Sequence, residues 1–216
     1  AKESFKDIMH YLILEDNSSN KVKKLQLITF KREINISDLY YHYPKKEHPS
    51  IYKINTSIKK NTITSILGPT GSGKTTLVSL ITGLLAPSKG SLIIDNKALT
   101  EYNIDNWKSK ISYVPQETII IEGSISDNIS LGLDVDIDNN KIKRALKITE
   151  LGKFIPFVNS KEIIGERGVK ISGGERQRIG LARAIYDDKE IIILDEPFSA
   201  LDKNTAQLIL SRLKSY

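Results

Sequence analysis

Residues 68–76 read GPTGSGKTT, a composition suited to holding a phosphate group. Glycines let successive backbone N–H groups turn toward one anion, and Lys74 adds a positive charge for the outer phosphates. Thr75 offers a hydroxyl ligand for Mg²⁺. The motif G-x-x-x-x-G-K-[ST] is complete. It predicts a nucleotide site formed by Gly68, Pro69, Thr70, Gly71, Ser72, Gly73, Lys74, Thr75 and Thr76.

The elements that flank this loop are those that such a motif requires. TITSILG (62–68) predicts a strand before the loop, and KTTLVSLITGLL (74–85) predicts a helix after it. A glycine turn with an incidental lysine would not need that context. Further strands are predicted in LQLITF, INISDLYYHY, SIYKINTSIK, SLIIDN, KISYVPQ and EIIIL, and further helices in DNNKIKRALKITEL and SGGERQRIGLARAIY. Strands that alternate with helices indicate an α/β sheet.

Two carboxylates follow the apolar run that ends at Leu194. Ligands of open α/β sheets gather at the carboxyl ends of strands, so Asp195 is predicted to hold the metal. Glu196 can take a proton from an attacking water if its carboxylate lies within hydrogen-bond reach of that water. Asp-Glu after a strand is by itself typical of a turn or helix start, but the phosphate loop favours the functional interpretation.

A second anion site is predicted where SGGE (172–175) opens a helix. Ser172 and Glu175 have the spacing of a capping box, which is a structural feature of many helix starts. Gly173 and Gly174 would leave helix N–H groups uncovered beside the Ser172 hydroxyl. Both interpretations can hold together.

ISGGERQR (171–178), YVPQE (113–117) and SALD (199–202) resemble the signature motif, Q-loop and D-loop of ATP-binding-cassette proteins, in the family's order. The resemblance runs from about Ile34 to the end of the chain. It implies an α/β fold with a P-loop NTPase core, an antiparallel β subdomain and an α-helical signature subdomain. It also implies ATP and Mg²⁺ as ligands.

The resemblance extends to individual residues. Lys74, Gln116 and Glu196 would be catalytic, and Thr75, Gln116 and Asp195 would hold the metal. Tyr43 would stack on adenine, although a tyrosine in a strand-like run often belongs to the core, and Gln116 could be an ordinary loop residue.

The signature-like segment also implies a partner. Ser172, Gly173 and Gly174 would cap the nucleotide of an opposing subunit in a head-to-tail homodimer or heterodimer. The sequence departs from the family at Ile171, where leucine is usual, and at Glu175, where glutamine is usual. The effect of the added carboxylate on phosphate affinity is left open.

EIIGERG (162–168) resembles the exporter segment that contacts coupling helices, although a solvated surface loop is the simpler interpretation. Phe5, Ile8, Met9, Leu12 and Ile13 have helical spacing and resemble the tail that follows an exporter's last membrane helix. We therefore expect a linker helix in 1–22 and a nucleotide-binding domain in 23–216. A fused or docked transmembrane domain would hold the domain at the cytoplasmic face of a membrane, the cell inner membrane if the source is bacterial.

Composition narrows the alternatives. The net charge of +6 comes with scattered lysines and no aromatic stripe, so no nucleic-acid partner is expected. The chain has no cysteine, hence no disulfide framework, and no apolar run of membrane-spanning length, so the fragment itself is expected to be soluble. The alternatives are a soluble ATPase of this family acting on ribosomes or DNA, a separate importer subunit, or a regulator without turnover. The last is disfavoured by Glu196, and the coiled coil of a DNA-repair type is missing between Lys74 and Ser172.

The family's switch histidine would lie beyond the D-loop, after one more helix and strand. The three histidines, His10, His42 and His48, all precede the phosphate loop. We therefore expect residues 1–216 to lack the switch-histidine region, to bind Mg-ATP and to hydrolyse it poorly.

Overall fold

The structure is a computed structural model that describes residues 27–44, 46–131, 137–165 and 170–215. The strands are β1 (Glu33–Tyr41), β2 (Ile51–Lys59), β3 (Lys89–Ile94), β4 (Lys97–Ala98), β5 (Ile111–Val114) and β6 (Ile191–Leu194). The helices are α1 (Lys74–Ile81), α2 (Ile104–Lys108), α3 (Ile125–Ser130), α4 (Asn139–Ile148), α5 (Gly173–Asp187) and α6 (Lys203–Lys214), with a 3-10 helix at Gly152–Phe157.

An antiparallel sheet forms the first layer, in the order β2-β1-β3-β4. Ile34 pairs with Ile58 on one side and with Ile94 on the other, so β1 is the central strand. One face of the sheet packs with α1 and Trp107, whose indole N–H donates to the Ile81 carbonyl at 2.8 Å. The antiparallel subdomain expected from the sequence is therefore present.

A parallel pair, β5 and β6, joins this layer to the helices. The register runs from Ile111 with Ile191 to Val114 with Leu194. Both strands therefore end at the same edge, and the residues that follow each strand emerge side by side.

The helical part packs around its own core. Helices α3, α4 and α5 and the 3-10 helix bury a cluster that includes Ile129, Leu146, Phe154 and Ile179. This cluster corresponds to the α-helical signature subdomain that the sequence predicts. No helix in the described ranges is both long enough and apolar enough to cross a membrane.

The structure differs from the predicted strands at two places. Residues 27–30 form no strand, because the Ile28 N–H donates to Asn106 Oδ1 at 2.7 Å and the Phe30 carbonyl accepts from Lys60 Nζ at 2.7 Å. Residues 62–69 also form no ladder, and Leu67 is 90% exposed. An apolar run forms a strand only when a neighbouring strand accepts its backbone hydrogen bonds.

Some predicted features fall outside the described residues. The linker helix in 1–22 is one, and Glu166 and Arg167 of the exporter-like segment are others.

Candidate nucleotide site

The phosphate loop is shaped by glycines with left-handed backbone. Gly71 has φ +81° and Gly73 has φ +90°, which are conformations that other residues rarely adopt. A Cβ on Gly73 would also lie 2.5 Å from the Ser50 carbonyl oxygen. Gly73 caps the start of α1, so the loop leads directly into the positive end of that helix.

Lys74 lies over this loop. Its Nζ donates to the carbonyls of Gly68 and Pro69, each at 3.0 Å. The loop residues are largely exposed, so an anion can reach the backbone N–H groups and the ammonium from solvent. The charge, the helix end and the turned backbone together form a cradle for phosphate.

The strand pair β5 and β6 brings together two of the three predicted catalytic residues, Gln116 and Glu196. Gln116 Nε2 donates to Glu196 Oε2 at 2.7 Å, across the common edge where both strands end. The Asp195 N–H donates to the Val114 carbonyl at 3.0 Å, which continues the ladder to the start of the loop.

Glu196 has an unusual backbone. Its φ is +46°, in the left-handed region that disfavours residues with a Cβ. Such strain persists only where the surrounding contacts hold it, and it occurs often at functional sites.

Tyr113 is a site residue that sequence reasoning missed. Its hydroxyl donates to Asp195 Oδ2 at 3.1 Å. Burial, the hydrogen bond to Asp195 and the negative charge of Asp195 together raise the pKa of Tyr113 to about 12. Tyr113 therefore stays protonated at neutral pH and keeps its bond. The parallel register pairs Tyr113 with Ile193, which no sequence spacing reveals.

Tyr43 lies beside the phosphate-loop helix. Its hydroxyl is 3.3 Å from Thr76 Oγ1, within hydrogen-bond distance. The ring packs edge-on against Tyr41, and Lys46 Nζ lies 5.3 Å from its centroid. Tyr43 is half-buried, so part of the ring remains available for stacking.

The signature-like segment opens α5 as predicted. Ser172 Oγ accepts from the Glu175 N–H and the Glu175 carboxylate accepts from the Ser172 N–H, so the capping box is formed. A Cβ on Gly174 would lie 3.1 Å from both the Ala200 carbonyl and Leu201, whereas one on Gly173 would meet only Ala200 at 4.0 Å. The start of α5 therefore packs on residues 200–201, and Gly173 faces open space.

Glu175 is also paired with a lysine that sequence reasoning did not select. Lys153 Nζ forms an ion pair with the Glu175 carboxylate. Burial alone would raise the pKa of Glu175, but the hydrogen bond from Lys153 and those from Ser172 outweigh it and lower the pKa. Lys153 comes from the 3-10 helix, 22 residues earlier, and only the fold brings the two charges together.

The donor set is suited to Mg²⁺ bound together with a phosphate. Thr75 and Asp195 offer oxygen ligands, as this cation prefers, and Gln116 offers an amide at the same strand edge. Within the described ranges, no three His, Cys, Asp or Glu side chains cluster as a metal site. Mg²⁺ commonly binds through one or two protein oxygens plus substrate phosphates and water, and this set fits that mode.

Comparison with known proteins identifies the family. The ABC transporter family model matches residues 51–199. Over 206 residues the chain is 37% identical to the multidrug resistance-like ATP-binding protein MdlA of Buchnera aphidicola, covering 94% of this chain and 35% of that protein. Over 181 residues it is 33% identical to the ATP-dependent lipid A-core flippase of Cupriavidus pinatubonensis, covering 81% of this chain and 30% of that protein.

A solved structure agrees with these relatives. The structure of a bacterial Atm1-family ABC exporter with ATP bound matches with a TM-score of 0.82 at 25% identity, covering 99% of this chain and 38% of that one. The chain spans about a third of the length of these two relatives. With its phosphate loop, strand-end carboxylates and capped helix start at Ser172, the chain belongs to the ABC transporter family.

Proposed function

We propose that this domain hydrolyses Mg-ATP in a head-to-tail dimer and thereby powers export by a larger membrane protein. The observation that carries the proposal is the contact between Gln116 and Glu196 at the common end of β5 and β6. It holds a carboxylate where strand ends of an α/β sheet meet their ligand.

The chain's own residues account for the reaction. The backbone of residues 68–73 and the Lys74 ammonium bind the phosphates and balance negative charge on the terminal phosphoryl group. Glu196 accepts a proton from the water whose oxygen bonds to the terminal phosphorus, while the bond from that phosphorus to the bridging oxygen breaks. Gln116 orients Glu196 through its amide. Bound Mg²⁺, held by Thr75, Gln116 and Asp195, would supply charge neutralisation between the phosphates.

The start of α5 supplies the second half of the dimer site. Ser172, Gly173 and Gly174 offer helix N–H groups and a hydroxyl to the terminal phosphate bound by a partner domain. The partner is a second copy or a similar domain. Ser172 and Gly173 are exposed, as this role requires.

The relatives indicate the setting. Their names refer to multidrug resistance and to lipid A-core flipping, so export of an amphipathic compound is the activity we propose for the whole protein. Residues 1–22 would connect a transmembrane domain to the cassette of residues 23–216, at the cytoplasmic face of the membrane. A docked transmembrane domain is the other arrangement.

Glu196→Gln tests the reaction. We expect the intact protein to lose ATP turnover by roughly 100-fold or more, because the amide cannot accept the proton. ATP binding should persist, since the phosphate loop is unchanged.

Glu190→Gln is the matched control. Glu190 precedes the other end of β6 and pairs with Lys110, so this variant should keep its turnover. Turnover that survives Glu196→Gln would refute the proposed role of this carboxylate.

A further inference from the structure

Gln177 is a buried side chain on α5 that takes no part in the proposed hydrolysis of ATP. It lies five residues after Ser172 and is 8% exposed. A buried carboxamide needs partners for its oxygen and its amino group, because desolvation leaves each unmet group costly.

The partners of Gln177 all lie in the segment that follows β6. Gln177 Nε2 donates to Ser199 Oγ at 2.7 Å and, at 3.5 Å, to the Glu196 carbonyl. Gln177 Oε1 accepts from the Ala200 N–H at 3.0 Å. One side chain thus connects α5 to both ends of residues 196–200.

This segment carries the strained residue of the site. Glu196 holds a left-handed backbone with φ +46°, and its carbonyl also accepts from the Ser199 N–H at 3.3 Å. A left-handed conformation in a residue with a Cβ relaxes unless its neighbours determine it. The hydrogen bonds of Gln177 reach this residue's carbonyl and the residues that follow it.

The same segment packs on the start of α5. Gly174 approaches the Ala200 carbonyl so closely that a Cβ would lie 3.1 Å away. Residues 196–201 and the first turns of α5 are therefore joined at two points, by close packing at Gly174 and by hydrogen bonds at Gln177.

We infer that Gln177 is a positioning residue for ATP hydrolysis: it fixes the 196–200 backbone on α5 and so aims the Glu196 carboxylate. The inference rests on the proposed function. Through Gln177, the position of Glu196 in one domain would also depend on the position of α5 in the same domain. In the proposed dimer, the Ser172 end of that helix faces the nucleotide bound by the partner. Coupling between the two nucleotide sites would pass through this amide.

Gln177→Ala in the intact protein tests the inference. We expect kcat to fall about tenfold, the effect of a transition-state loss of ~1.4 kcal/mol, with the KM for ATP within about twofold of its original value. Gln177→Leu should lose as much kcat, because it keeps the volume of the side chain but none of its hydrogen bonds.

Asn103→Ala is the matched control for loss of a buried amide. Asn103 Oδ1 accepts from the Thr100 N–H at 2.8 Å and its Nδ2 donates to the Ala98 carbonyl at 2.9 Å, far along the chain from Glu196. This variant should lower Tm and leave kcat unchanged.

Ser199→Ala removes the hydroxyl that accepts the hydrogen bond from Gln177 Nε2. If Gln177 acts through this segment, the double variant Ser199→Ala/Gln177→Ala should lose no more kcat than Gln177→Ala alone. Fully additive losses would overturn the inference, as would a kcat within twofold of the original in Gln177→Ala or Gln177→Leu. Ser199→Ala also reads the contact if the Gln177 variants fail to fold, and an unchanged kcat there would count against it.

Glu196→Gln in the same assay distinguishes a failure of the Gln177 inference from a failure of the proposed function. If it abolishes turnover while the Gln177 variants do not differ from Asn103→Ala, the inference alone fails. If Glu196→Gln retains turnover, the proposed function fails and the inference fails with it.

Discussion

Glu175 replaces the glutamine usual at this point of the signature motif, and the fold supplies a charge to match it. Lys153 pairs with its carboxylate and the Ser172 N–H donates to it. The anion site proposed at the start of α5 therefore does not face an uncompensated negative charge. The charge of Lys153 therefore offsets the repulsion that the Glu175 carboxylate would otherwise exert on a bound phosphate.

Lys153→Met should raise the pKa of Glu175. The folded-state pKa of Glu175 is lowered, so its ionised form stabilises the fold above the unfolded-state pKa, and that stability is lost as pH falls through the folded-state value. The variant should therefore be less stable near neutral pH, and the difference should shrink as the solution is acidified. Chemical denaturation across acidic to neutral pH measures it.

Glu175→Gln provides the control for that pH series. In this background Lys153→Met should show no such pH dependence, since no carboxylate remains to titrate. A pH-dependent difference that persists there would assign the effect to another group.

At the residue scale, the sequence predicted what depends on local spacing. The capping box of Ser172 and Glu175 and the turned glycines of the phosphate loop are set by neighbours a few residues apart. Lys153, Tyr113 and Gln177 act on residues 19 to 82 positions away, and only the fold defines those pairs.

At the scale of elements, α5 is held close to the loop that carries Gln116. A Cβ on Gly180 would lie 2.3 Å from Thr118 Oγ1, a buried hydroxyl with no hydrogen-bond partner among the described residues. The glycine lets the helix and the loop approach closely. This contact joins α5 to the loop that carries Gln116, independently of Gln177.

Gly180→Ala should lower Tm even though alanine favours helix by up to ~1 kcal/mol over glycine. The new methyl group forces the loop at Thr118 to move. In the Thr118→Ala background the loss should be smaller, because the closest atom is gone. An equal loss in both backgrounds would place the effect elsewhere in α5.

The longer helices and five of the six strands lie where the sequence predicts them, whereas the short helices α2 and α3 were not predicted. The apolar periodicity of α4 and α5 located both to within a few residues, since a helix makes its own hydrogen bonds. Strand TITSILG was wrong in this structure because a strand depends on its neighbour. The parallel register of β5 and β6, which forms the site, joins segments 80 residues apart.

At the scale of the whole molecule, the two segments that we propose as phosphate sites lie on different units of the described part of the chain. The phosphate loop belongs to the layer with the antiparallel sheet, and the start of α5 belongs to the helical cluster. In the proposed dimer each serves a different nucleotide. The resemblance to ATP-binding-cassette proteins implied both units.

ATP binding by the domain should depend on the phosphate loop, because its turned backbone and the Lys74 ammonium offer positive charge to the phosphates. Lys74→Met should abolish this binding, since the phosphates lose their ammonium. Equilibrium binding of a fluorescent ATP analogue measures it. An unchanged affinity in Lys74→Met would contradict the expectation.

At position 196 the backbone and the proposed chemistry favour different residues. The left-handed φ of +46° favours a residue such as glycine, whereas proton transfer needs the carboxylate of glutamate. Glycine relieves the conformational cost at such a position, and asparagine tolerates it better than glutamate does. A directed-evolution screen that selected for thermostability alone would therefore favour glycine or asparagine at this position, and the selected domains would be stable but would not hydrolyse ATP. Retention of glutamate at position 196 in a thermostable variant would therefore report that turnover had been under selection as well.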